Sequence, residues 1–170
     1  MSTAVNRRPL HSAGTLLGIG MGGFVDGILF HQLLQLHNML SARYPKTGVP
    51  AETAVVNIEI NMFWDGLFHT LTWTMTAVGL ALLWRVAKRG EVPLSTRAFV
   101  GSLSLGWGLF NLVEGIIDHH ILDIHHVTET ANHLVWDVTF LGSGVVLIAL
   151  GLWLMRTATA EGTSRAGYAR

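Results

Sequence analysis

Three long stretches of this chain, 12–42, 53–84 and 98–155, contain neither lysine nor arginine. They are rich in apolar residues, and a membrane crossing takes about 20 residues. They accommodate four membrane helices, at roughly 13–38, 58–84, 97–122 and 129–155. A soluble four-helix bundle would carry a charged outer face along each helix. These segments lack one. The expected fold is therefore all-α: a polytopic membrane four-helix bundle, one membrane domain over 1–170, with 156–170 as a polar tail.

The chain carries 11 basic and 11 acidic residues, yet the balance is not local. The base-free stretches hold Asp26, Glu59, Asp65, Glu114, Asp118, Asp123, Glu129 and Asp137, together with every histidine except His11. The bases gather at the N-terminus (Arg7, Arg8), the second connection (Arg85, Lys88, Arg89, Arg97) and the C-terminus (Arg156, Arg165, Arg170). The first connection has only Arg43 and Lys46. By the positive-inside rule both termini face the cytoplasm of a bacterial inner membrane. Arg7 and Arg8 read as an orientation anchor rather than an export signal, since no small-residue cleavage site follows them. With 13% charged residues, neither disorder nor nucleic-acid binding is expected. The absence of cysteine excludes disulfides, thiolate metal sites and iron–sulfur clusters.

Gly18, Gly20 and Gly23 match a dinucleotide-binding fingerprint, which requires a preceding strand. Inside a membrane helix, Gly14, Gly18 and Gly22 at four-residue spacing point instead to close helix packing. The same region shows a duplication. At an offset of 88 residues, Leu17-Gly18-x-Gly20 matches Leu105-Gly106-x-Gly108, and Val25-Asp26-Gly27-Ile28 matches Val113-Glu114-Gly115-Ile116. His31 then falls on His119 and His37 on His125. At an offset of 72, Asn61-x-x-Trp64-Asp65 matches His133-x-x-Trp136-Asp137. Two tandem helical hairpins are expected, about 13–84 and 97–155, forming a parallel repeat. The halves have diverged: Gln32 corresponds to His120, Gln35 to Asp123, Asn38 to His126, and His69 to Leu141.

Residues four apart share a helix face. Asn61, Asp65 and His69, continued by Thr72 and Thr76, therefore form one inward stripe, and Glu129, His133 and Asp137 another. The five-residue steps Asp26–His31 and Glu114–His119 turn about 140° on an α-helix, so these residues border a wide interior wedge. Counted along the helices, the four carboxylates lie at similar depth. A charged acid at the bilayer centre costs on the order of 2.5–3.5 kcal/mol on insertion scales. No Lys or Arg lies at that depth, so protons, histidines or a bound cation must compensate. Imidazole with carboxylate suits iron, copper, zinc or manganese. The expected metal site is Asp26, His31, Asp65, His69, Glu114, His119, His133 and Asp137, with room for a dinuclear centre.

A single membrane histidine is ordinarily a packing or hydrogen-bonding residue, and the tryptophans are interfacial or packing aromatics. The joint pattern is what points to metal. Asp118, His120, Asp123, His125 and His126 are expected at the external mouth, as an inlet funnel, a second metal site or a solvated helix end.

The stretch Gly20–Gly27 with His31, Gln35 and His37, the segment 61–69, and Asn111-Leu112-Val113-Glu114-Gly115-Ile116-Ile117-Asp118-His119-His120 resemble DUF2243, a family of predicted bacterial membrane proteins of uncharacterised function. The resemblance covers roughly 16–154 and implies four spans, with no chemistry attached.

The leading expectation is an integral membrane metalloprotein with redox chemistry near the external face. Its surroundings would be the lipid bilayer and a metal-ion donor or respiratory-type membrane partner. The alternatives are a metal-handling or assembly protein, and a haem-binding electron carrier using His31 with His119 or His69 with His133. Surplus carboxylates around a haem iron count against the last. Proton conduction through the same acids needs no metal.

Overall fold

A computed structural model describes residues 6–90 and 92–168, with side chains through 158. The tail bases Arg165 and Arg170 lie outside the described side chains. The described residues form four helices and no strand. Helix α1 (Arg8–Phe24) continues as a first π-helical segment (Val25–Leu33). Helix α2 spans Ala51–Arg89, α3 spans Thr96–Glu114 and continues as a second π segment (Gly115–Ile121), and α4 spans His133–Tyr168. Four stretches, Arg8–Leu33, Ala51–Arg89, Thr96–Ile121 and His133–Ala158, are long and apolar enough to cross a membrane. Their outer faces carry large apolar side chains, among them Met62, Phe63, Trp73, Val135 and Trp153. Lipid is the solvent that this pattern suits.

Helices α1 and α3 form the central pair, α2 packs on α1, and α4 packs on α3. Among the described residues α2 and α4 do not pack on each other. The central contact is made by the glycine stripe: a Cβ on Gly18 would overlap the Leu103 carbonyl, and one on Gly106 the Thr15 carbonyl. Backbones meet there because neither partner has a side chain to hold them apart. Gly20 admits Thr72 and Thr76 of α2 in the same way. The buried face of α2 runs Asn57, Asn61, Asp65, Phe68 and Thr72, a one-sided stripe of i, i+3 and i, i+4 steps.

Several boundaries differ from the sequence expectation. Helix α2 begins at Ala51, directly after Pro50, rather than near residue 58. Glu52 lies in its first turn, where the positive end of the helix dipole favours an acid. Glu59, just past the expected start, is exposed rather than held inside the bundle. Helix α4 begins at His133, so Glu129 is not part of its inward stripe; it accepts a hydrogen bond from Ser41 Oγ in the preceding loop (2.6 Å).

The polar end of the molecule is shaped by two unusual turns. Each π segment closes with a wide, under-wound bond, Leu34 N–H to Leu29 O and Leu122 N–H to Ile117 O. Gln35 and Asp123 then adopt left-handed backbone angles, with φ of 50° and 52°. Non-glycine residues rarely do so, at a cost of about 1–3 kcal/mol. These turns fold the following residues back between the helix ends instead of letting them run out toward solvent. At the opposite end, Leu10, Val86, Ala98 and Ala158 make a small apolar core, and Arg7 donates to the Ala158 carbonyl (2.7 Å), so the start of α1 and the Ala158 turn of α4 meet at that end.

Candidate metal centre

The π segments explain how Asp26 and His31 meet. On an α-helix a five-residue step points away from its start, but i to i+5 bonding widens the turn and brings such residues onto one side. His31 Nε2 lies 3.0 Å from Asp26 Oδ2, both side chains buried. The expected wide wedge is thereby replaced by direct contact. His31 Nδ1 faces Asp65 Oδ1 at 3.0 Å. In the second half, His119 Nδ1 lies 3.2 Å from Asp137 Oδ1. Phe68 stacks against His31 and Phe140 lies against His119, each with ring centroids 5.4 Å apart.

Asp65 and Asp137 approach from α2 and α4, behind the histidines. Each also accepts a backbone N–H from the infolded loop, Met39 N to Asp65 Oδ1 (2.8 Å) and Val127 N to Asp137 Oδ1 (2.9 Å). Asn38 Nδ2 donates to Asp65 Oδ2 at 2.6 Å. In α2, Asn61 takes no part in the cluster; it pins the first connection by accepting from Leu40 N and donating to the Tyr44 carbonyl.

The infolded loops deliver His37 and His125, which the sequence reading did not include. His125 was expected at the external mouth, yet it is completely buried. The left-handed turn at Asp123 is the physical reason. Its signal in the sequence was that His37 and His125 are identical at matched positions while Gln32, Gln35 and Asn38 diverged from theirs. His37 Nδ1 donates to the Val127 carbonyl (3.0 Å) and His125 Nδ1 to the Met39 carbonyl (3.1 Å). A neutral imidazole has one N–H, so each Nε2 is left with a lone pair. Those lone pairs face carboxylates: His37 Nε2 lies 3.6 Å from Asp26 Oδ1, and His125 Nε2 3.4 Å from Glu114 Oε1. Burial and the neighbouring histidines His37 and His119 hold the His125 pKa well below its ordinary 6.5. It stays a neutral donor.

Overlapping triads join these groups. His31, His37 and His125 can offer ligand atoms within 4.8 Å of one another, as can Glu114, His119 and His125, and Asp26, His31 and Glu114. The result is one buried cluster of four histidines and two carboxylates. Eight of its atoms make no well-aligned hydrogen bond: Asp26 Oδ2, His31 Nε2, His37 Nε2, both Glu114 oxygens, both His119 nitrogens and His125 Nε2. Of these, His31 Nε2 and Asp26 Oδ2 face each other, and His119 Nδ1 faces Asp137. Left unpaired, buried polar groups cost about 1–3 kcal/mol each, and charged ones more.

Of the residues expected from sequence, Asp26, His31, Glu114 and His119 are brought together here. Asp65 and Asp137 stand behind His31 and His119. His69 is turned aside, its Nδ1 donating to the Asp65 carbonyl (2.7 Å) while its ring covers Gly27. His133 is half exposed and groups with His126 and Asp137 at the rim.

A family model described as a predicted membrane protein (DUF2243) matches residues 13–158. The chain belongs to the DUF2243 family. No curated protein and no solved structure matches it. In this DUF2243 protein a cavity of about 240 Å³ opens beside the cluster on the first-half side, lined by His31, Gln35, Asn38, Lys46 and Asp65 among others. The His/carboxylate groups of this DUF2243 chain can hold a metal ion by residue type and spacing.

Proposed function

We propose that the chain is an integral membrane metalloprotein whose buried cluster holds a dinuclear transition-metal centre for redox chemistry. The ligands are Asp26, His31, His37, Glu114, His119 and His125, three from each half. Asp65 and Asp137 orient His31 and His119 through their Nδ1 atoms, as carboxylates behind metal-bound histidines commonly do. His69 and His133 fall outside the centre in this reading.

One observation carries it: seven buried lone-pair atoms, Asp26 Oδ2, both Glu114 oxygens and Nε2 of His31, His37, His119 and His125, converge on one small volume without a well-aligned donor. Nitrogen and oxygen donors without sulfur suit iron, copper, zinc or manganese. Imidazole rings fill the space between the two halves, with centroids 4.5 Å apart for His31 and His37 and 4.8 Å for His119 and His125. Such packing favours bare ions over a haem, which needs a wide slot between its axial ligands.

The reading includes one membrane domain made of two related hairpins, oriented with both termini in the cytoplasm of a bacterial inner membrane. The matched contacts at positions 88 apart support the duplication, and the arginines near both termini support the orientation. On that orientation the centre lies near the external face, and a cleft lined by His31 and Asp65 opens beside it. Metal handling or assembly is the second reading, favoured by His133, half-exposed at the rim beside the partly buried His126.

Elemental analysis of the purified full chain tests the function. Stoichiometric transition metal is expected, and it should be lost from a His37→Asn/His125→Asn variant. Protein from metal-replete cells that carries no stoichiometric metal overturns the reading.

A further inference from the structure

The two halves treat their outer carboxylates differently. In the first half, Asp65 Oδ2 accepts from the amides of Asn38 (2.6 Å) and Gln32 (3.2 Å). In the second half, Asp137 Oδ2 faces two imidazoles instead: His126 Nδ1 at 2.8 Å and His133 Nδ1 at 3.5 Å. His126 and His133 occupy the positions matched to Asn38 and Asn61. Their ring centroids are 4.0 Å apart, and their ligand atoms, with that of Asp137, lie within 4.8 Å of one another.

The donor count is unbalanced here as well. His126 Nε2 lies 3.2 Å from Asp123 Oδ1 while its Nδ1 faces Asp137, so both ring nitrogens address carboxylate oxygens. A neutral imidazole can donate to only one of them. His133 Nδ1 is buried without a hydrogen-bond partner, although its side chain as a whole is 42% exposed. Asp137 itself is 1% exposed, and its other oxygen lies against His119 of the central cluster. One carboxylate thus touches both groups.

We propose that His126, His133 and Asp137 form a second, rim site for a divalent first-row transition ion, which loads the central cluster through Asp137. The proposal rests on the metal-centre reading above. Asp123 orients His126 by accepting from its Nε2–H, as carboxylates behind metal-bound histidines do. Exposure of His133 lets an aqueous ion reach an imidazole donor directly, whereas every ligand side chain of the central cluster is buried. Borderline donors of two imidazoles and one carboxylate suit zinc, cobalt(II) or copper(II). The first half, with amides at the same positions, has no equivalent site and keeps an open cleft instead. Metal enters on one side only.

The test uses the first half as its own control. His126→Asn/His133→Asn installs the residues that already function at 38 and 61, so folding is expected to survive, and the single variant His133→Gln provides a milder check. Purified full-length wild type and variants, stripped of metal in detergent, are titrated with cobalt(II) and followed by visible absorption and by the rate of signal growth. Wild type should show two classes of site. The double rim variant should lose one class and fill the other at least about tenfold more slowly. His37→Asn/His125→Asn should keep the rim class and lose the central one. If the double rim variant binds and fills like wild type, the rim site is overturned while the centre stands. If cobalt binding in wild type is insensitive to both double variants, the central reading falls with it.

Discussion

The rings of His37 and His125 lie stacked, their centroids 4.9 Å apart and their planes within 9° of parallel. Each is fixed by a carbonyl of the opposite half, Val127 for His37 and Met39 for His125. The two loops hold each other's histidine. Neither ring can tilt outward without releasing a bond that belongs to the other loop, so the pair is rigid before any ion arrives.

Replacing either ring should therefore act on the whole cluster. His37→Ala and His125→Ala are each expected to remove most of the bound metal, with an affinity loss of at least about a hundredfold for a lost ligand. His11→Ala, which removes only a contact to Ser102 Oγ at the far end, should leave occupancy unchanged. Metal-to-protein ratios from elemental analysis decide between them.

Asp65→Asn and Asp137→Asn should lower affinity by about 10–100-fold, since each carboxylate holds a histidine from behind. The asparagine keeps the shape and can still accept the loop N–H. Competition with a chelator of known affinity would measure the loss, and unaltered affinity in both variants would exclude the orienting role.

His125 should take up a proton late. Its pKa is held well below 6.5 by burial and by His37 and His119. A depressed folded-state pKa gives stability that is present above the ordinary unfolded value and lost as pH falls toward the lowered one. The His125 contribution should thus be complete above pH 6.5 and decline progressively in more acidic solution. Thermal melts of the metal-free protein against pH, with His125→Asn as reference, read the effect; a contribution already lost above pH 6.5 would contradict the expectation.

Gly106→Leu should prevent normal assembly of the central helix pair, because its side chain meets the Thr15 backbone, which has no room to move. Overpacking alone costs about 1–3 kcal/mol, and overlap with backbone exceeds that. Gly142→Ala, where a Cβ meets nothing within 4 Å, is the matched control and should melt like wild type. Size-exclusion profiles and melting in detergent give the comparison.

Gln35→Gly removes the cost of a left-handed side-chain-bearing residue, φ 50°, about 1–2 kcal/mol, against about 0.5–1 kcal/mol of added glycine entropy, and should stabilise the metal-free protein by about 0.5–1 kcal/mol net. A lower melting temperature would show that the Gln35 side chain contributes more than its backbone strain costs.

The four apolar helices and the carboxylates on them were legible from base-free stretches and four-residue spacing. The matching of His31 with His119 and His37 with His125 was also legible, and it holds the key contacts. What the spacing concealed was backbone shape. An α-helical period sends Asp26 and His31 apart, and only a π turn reunites them, which no residue type announces. The left-handed angles at Gln35 and Asp123 were equally hidden, since glycine would ordinarily mark them. His125 consequently read as part of a solvated mouth. His69 misled in the opposite direction: its four-residue spacing from Asp65 was correct, but Gly27 gives the ring a place to lie beside the cluster.

The amides of Met39 and Val127 end on the same carboxylate oxygens that face His31 and His119. Asp65 and Asp137 are thus latches as well as supports. A proton on either carboxylate therefore weakens two holds at once, on the histidine in front and on the loop above. Loosening of the buried imidazole and unsealing of that end of the molecule become a single cooperative event.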